Sequence, residues 1–68
     1  INIDLEVAES TDLVFEIIHI DGRILSTFTK TVNGNEIIPI DLEQYSPGVY
    51  FVKLKNETGQ ASRKVIKF

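Results

Sequence analysis

The sequence predicts an all-β domain, a sandwich or barrel of six to seven short antiparallel strands. Three observations carry that reading. Gly- or Pro-marked polar turns recur about every ten residues. The segments between them show apolar residues at a period of two or in short β-branched runs. No window sustains a helical period.

Ile1 to Val7 alternates strictly, with Ile1, Ile3, Leu5 and Val7 apolar and Asn2, Asp4 and Glu6 polar. That pattern makes a strand with one buried and one wet face. After a polar turn, Leu13 to Ile20 forms a second strand, with Leu13, Phe15 and Ile17 on one face and Val14 and Ile18 on the other. Asp21-Gly22 marks a tight turn, because Gly accepts positive φ without steric cost. A third strand spans about Arg23 to Val32, and splitting it would give the seventh element. Asn33-Gly34-Asn35 breaks the chain again.

Glu36 to Leu42 reads as the fourth strand, with Ile38, Ile40 and Leu42 on one face. Pro39 cannot donate to a ladder, so this strand lies at an edge or turns its Pro away from the partner. In the following loop, Pro47-Gly48 suits the centre of a type II turn. Val49 to Lys55 places Tyr50, Val52 and Leu54 on one face. Val49 and Phe51 lie on the other, giving way to Lys53 and Lys55. A hairpin loop over Asn56–Gln60 leads to the last strand, Ala61 to Phe68.

A chain of 68 residues holds one domain, 1–68, and buries only about 60% of its unfolded surface. It has no cysteine, hence no disulfide staple and no thiolate metal site. The 25% charged fraction beside 43% hydrophobic residues is globular, not disordered, composition. The chain begins at Ile1 and reads as a piece cut from a longer protein. No stretch is apolar enough for a membrane-spanning helix. A net charge of −3 argues against nucleic acid as partner. The charge is segregated: Asp4, Glu6, Glu9, Asp12, Glu16 and Asp21 precede any Lys or Arg, whereas Lys53, Lys55, Arg63, Lys64 and Lys67 crowd the end. Either the two ends offset each other across strands or the basic end is a docking surface; the first is favoured.

Catalytic machinery is not indicated. His19 is the only histidine and has no convergent partner set for general-base work. No serine sits in a nucleophile elbow. The carboxylate pairs Asp4/Glu6 and Asp41/Glu43 read as solvated positions. No calcium-loop or phosphate-cradling pattern occurs, so no metal or cofactor is expected. Asn56-Glu57-Thr58 matches a glycosylation acceptor, but a turn role for Asn56 is favoured.

Three stretches, in order, carry a resemblance. The first is Phe15–Leu25, a strand, Asp21-Gly22-Arg23 and an aliphatic return. The second is Leu42–Leu54, with the core Pro47-Gly48-Val49-Tyr50-Phe51-Val52. The third is Arg63-Lys64-Val65-Ile66-Lys67-Phe68. Together they resemble the type A C-terminal sorting domain of the type IX (Por) secretion system of Bacteroidota. The frequent Asn-Pro opening of the family is absent. Ile18 and His19 stand where Tyr and Asp or Asn are common, so the resemblance assigns no function to those two positions.

The resemblance implies an immunoglobulin-like sandwich that directs attached cargo across the outer membrane, via the periplasm, to the medium or cell surface. It implies the translocon and its shuttle proteins as partners. It also implies a sortase-like C-terminal signal peptidase that commonly removes the domain, a surface anchor taking its place. Gly22, Pro47, Gly48 and Tyr50 map to the structural motif. Gly22 and Gly48 are expected as turn requirements, and Tyr50 as an inward ring whose hydroxyl reaches a backbone group. Arg63, Lys64, Lys67 and Lys53 are the expected partner-binding residues of a monomeric domain that is substrate, not enzyme. The competing readings are a fibronectin-like or carbohydrate-binding accessory module, an enzyme fragment, and a self-associating module.

Overall fold

The computed structural model describes all residues, Ile1–Phe68. It holds six strands: β1 (Asn2–Glu6), β2 (Thr11–His19), β3 (Ile24–Val32), β4 (Asn35–Pro39), β5 (Gly48–Asn56) and β6 (Gly59–Lys67). The third strand does not split, so the count is six. Two antiparallel sheets form the sandwich, a two-stranded layer β1-β4 and a four-stranded layer β3-β2-β5-β6.

The inward faces follow the period-two pattern. Ile3 and Ile38 lie opposite each other in the small sheet, and Leu13, Phe15 and Ile17 share the inner face of the large one with Val52 and Leu54. These residues join Val32, Ile40 and Leu42 in one core. Phe15 is fully buried and its ring stacks on that of Phe28, its cross-strand neighbour, with centroids 4.9 Å apart.

Pro39 sits where its missing N–H costs no ladder bond. Ile1 and Ile40 exchange backbone hydrogen bonds at 2.9 and 2.7 Å, and Val7 N–H donates to Gly34 O at 3.0 Å. Bonded pairs alternate with unbonded ones, so the Asn2–Pro39 pair between them is unbonded and the Pro nitrogen faces the free edge. β4 ends at Pro39, earlier than the periodicity suggests. Ile40 and Leu42 nevertheless keep their apolar face buried.

The Ile20-Asp21-Gly22 turn closes with His19 N–H donating to Arg23 O at 2.8 Å. Gly22 has φ 96°, a conformation that favours glycine. Asp21 caps the same turn, accepting from the Arg23 N–H at 3.0 Å and Arg23 Nε at 2.8 Å. Those donors, the backbone N–H first, hold the Asp21 carboxyl below its ordinary pKa.

The type II turn expected at Pro47-Gly48 is replaced by a different arrangement. Gly48 has φ 157°, far from the value near +80° that such a turn needs, and it opens β5 opposite Lys67. The turn lies earlier, where Tyr45 N–H donates to Leu42 O at 3.0 Å.

Candidate docking surface

The terminal hairpin β5–β6 is built from a two-residue loop, Glu57-Thr58, tighter than the Asn56–Gln60 span read from sequence. Asn56 Oδ1 accepts from Thr58 N–H at 2.9 Å and Gly59 N–H at 3.0 Å, while its Nδ2 donates to Thr11 Oγ1 at 3.2 Å. The side chain is committed to the turn, as an Asx residue there should be.

This loop sets the register Phe51↔Lys64, Val52↔Arg63, Lys53↔Ser62 and Tyr50↔Val65. Directly opposed residues share a face. Lys53 and Lys64 therefore stand as diagonal neighbours on the outer face of the large sheet, with Phe51 across from Lys64. Lys55 joins them, 3.4 Å from the carboxylate of buried Glu16. Arg63 points the other way, toward the inner face, yet it is exposed, as is Ala61. The two-stranded layer leaves that part of β6 uncovered.

Lys67 departs from the expected exposed contact. Its ammonium donates to the carbonyls of Leu42 at 2.8 Å, Glu43 at 3.2 Å and Tyr45 at 2.5 Å. Three carbonyls from one turn converge on a compact cation that can supply three donors. Lys67 thus ties the end of β6 to the β4–β5 loop. The structure brings Lys53 and Lys64 together, sets Arg63 on the opposite side of the same strand, and turns Lys67 inward.

Tyr50 is buried, with its hydroxyl donating to Ser46 O, and its ring lies against Tyr45 and the edge of His19. Pro47 lies between that acceptor and Gly48, so the loop entry into β5 is anchored from below. His19 packs within the hairpin turn, its Nδ1 3.2 Å from the Asp21 N–H and 3.1 Å from Asp21 Oδ1.

Charge offset between the chain ends is confined to Glu16 and its lysine. β1 pairs with β4 in the other sheet, and no Lys or Arg reaches Asp4, Glu6, Glu9 or Asp12. Arg63 and Lys64 likewise make no ion pair. The apolar surroundings of Lys64 were not legible in the sequence: Ile66, two residues along, is exposed, and half-buried Phe51 stands opposite with Ile18 next in the row. The alternation of β5 had placed Phe51 beside the lysines; the β5–β6 register needed to complete the patch depended on the loop length.

The family model of the secretion system C-terminal sorting domain matches residues 1–68. The chain belongs to that family. No curated protein and no solved structure matches it. The sorting domain is the C-terminal signal of type IX secretion, which engages the secretion machinery and marks its cargo for export across the outer membrane to the cell surface or medium. It is not a catalytic family. The accessory-module alternative gains no support from the comparisons.

Proposed function

We propose that residues 1–68 are a single sorting domain carried by a larger exported protein, and that the folded domain is a ligand rather than a catalyst. The terminal hairpin is its docking element. Lys64, Arg63 and Lys53 make the contacts, and Lys67 holds the strand that presents them. The observation that carries this reading is the exposure of Arg63 and Lys64 without any ion-pair partner on one regular strand. Desolvating an already paired cation would cost a partner its existing contact; these two are free to pair.

The receiving surfaces are the outer-membrane translocon and its shuttle proteins. A sortase-like signal peptidase then removes the domain, and the cargo takes a surface anchor. The domain acts as a monomer, without cofactor, metal or nucleic acid. Its nucleophiles and its one histidine sit in turn and strand roles: His19, for example, is spent on Asp21 and Tyr50.

A fluorescent reporter carrying residues 1–68 behind a signal peptide, expressed in a Bacteroidota host, tests the docking role. Lys64→Glu combined with Arg63→Glu is expected to trap the reporter in the periplasm while the domain stays folded. Normal export by the folded double variant would sink it.

A further inference from the structure

We infer that the free edge of β6 is a strand-pairing site, which takes up an extended segment of a partner protein rich in acidic residues. The inference rests on the terminal hairpin being the docking element and adds how it docks: through the backbone as well as through charge.

The register decides which groups are available. β6 pairs with β5 alone. Across a two-residue loop the flanking pair, Asn56↔Gly59, is hydrogen-bonded, and bonded pairs recur at every second residue. Gly59, Ala61, Arg63, Val65 and Lys67 therefore bond β5. Gln60, Ser62, Lys64 and Ile66 direct their N–H and C=O groups outward, and no backbone hydrogen bond outside the strands reaches them.

Exposed edges are usually blunted by shortness, proline or bulges. β1 and β4 are short, five residues each, and β4 carries Pro39. β3 has a register shift near its start. β6 runs nine residues without Pro or bulge. Its one blunting device is positive charge.

That charge selects the occupant. The hairpin Gly48–Lys67 holds Lys53, Lys55, Arg63, Lys64 and Lys67 against Glu57 alone. Two copies pairing β6 to β6 would set Arg63 and Lys64 of one against those of the other, which is unfavourable for facing strands. An acidic strand meets no such penalty. Its acidic side chain opposite Lys64 would share the outer face with it, and an apolar neighbour would cover Ile66, which is half exposed at 50%. This is strand addition, with main-chain bonds for affinity and alternate side chains for selectivity.

The test separates backbone from charge. A peptide alternating Glu and Val, matched to the nine residues of β6, is added to the domain, with a Lys/Val peptide as control. Amide hydrogen exchange should slow at Gln60, Ser62, Lys64 and Ile66 with the acidic peptide only. Ser62→Pro removes one outward donor, keeps every charge and leaves the β5 ladder intact. It should weaken peptide binding roughly three- to tenfold, the loss of one hydrogen bond, and lower reporter export. If Ser62→Pro does not fold, the same domain synthesised with an N-methyl group on Ser62 replaces it.

Unchanged binding and export by the folded Ser62 variant overturns strand pairing, and loss of export in Lys64→Glu would then leave side-chain docking standing. Normal export by both variants overturns the docking role as well. Slowed exchange at Thr27, Thr29 and Thr31 of β3, or self-association through β6 in light scattering, also overturns the inference.

Discussion

The Lys67 ammonium donates to the Leu42 carbonyl at 2.8 Å, joining the last strand to the chain's longest loop. Glu43 and Tyr45 complete the cage. The same segment receives the other end of the chain, where Ile1 and Ile40 exchange hydrogen bonds. Residues 40–45 are thus held from both sides, and they lead directly into β5.

Lys67→Met removes the donor from three carbonyls: Leu42 O keeps the Tyr45 N–H, whereas Glu43 O and Tyr45 O lose their protein partner. Hydrogen bonds to a charged group contribute roughly 1.5–3 kcal/mol. A domain of 68 residues has about 3–10 kcal/mol in total. Chemical denaturation should show a midpoint lowered by a large fraction of its value, with export lost alongside. Lys67→Arg should restore little, because a planar fork does not satisfy three carbonyls converging on a point. A Lys67→Met midpoint equal to that of the parent would contradict this role.

Tyr50→Phe isolates the hydroxyl. The ring stays in the core beside Tyr45, and only the bond to Ser46 O is lost. The expected cost is about 1 kcal/mol, the net worth of one neutral hydrogen bond with its acceptor left part-buried. Thermal unfolding of the two proteins measures it. An unchanged melting temperature would mean that the loop entry is fixed by Gly48 and Lys67 alone.

How far the sequence could be read is clear from these two residues. Tyr50 was legible because its position is local: it alternates with Val49 and Phe51, and a buried phenol needs an acceptor. The faces of Ile38, Ile40, Leu42 and Phe15 were legible for the same reason. Lys67 was not. Its partners are carbonyls of residues 42–45, and nothing in a Lys-ending strand announces which backbone groups will converge on it. Pro47-Gly48 misled because its dipeptide preference yields to the pull of β6, which recruits Gly48 into the ladder. The surroundings of Lys64 waited on register, and register waited on the length of the Glu57-Thr58 loop.

Asp21 makes stability pH-dependent at the first hairpin. Its carboxyl is held below the ordinary 3.8, first by the Arg23 backbone N–H and then by the Arg23 and His19 side chains. A depressed folded-state pKa contributes stability above the unfolded value, and that contribution fades as pH falls through the folded one. Asp21→Asn should therefore be less stable than the parent at neutral pH, and the gap should narrow well below pH 3.8. Unfolding curves of both proteins across that range check it; a constant gap would assign the difference to something other than titration.

Gly22→Ala probes backbone strain with no confounding contact. Nothing lies within 4 Å of an added Cβ, so the cost comes from φ 96° alone. Roughly 1–2 kcal/mol is expected, the left-handed penalty of an ordinary residue. Gly22→Asn should lose less, since Asn tolerates that region. Equal stability of Gly22→Ala and the parent would show that the turn relaxes to another conformation, and the Asp21–Arg23 hydrogen bonds should then disappear from its amide spectrum.

Phe15→Ala attacks the centre of the core. The ring has no solvent exposure, stacks on Phe28 with planes 2° apart, and stands opposite Leu54 on the neighbouring strand. Removing a buried Phe costs about 3–5 kcal/mol through lost transfer energy and the cavity left behind. Set against a total of roughly 3–10 kcal/mol, that loss is enough to abolish a cooperative transition. Phe28 is half-buried on an edge strand, so Phe28→Ala should keep the transition at a lower midpoint. The ordering bears on the proposed docking role, because β6 is presented only by a folded sheet: β5 connects β2, which carries Phe15, to β6. Circular dichroism melts of the two variants, read beside their export, should rank in the same order; a stable, fully exported Phe15→Ala domain would show that this stack does not hold the sheet.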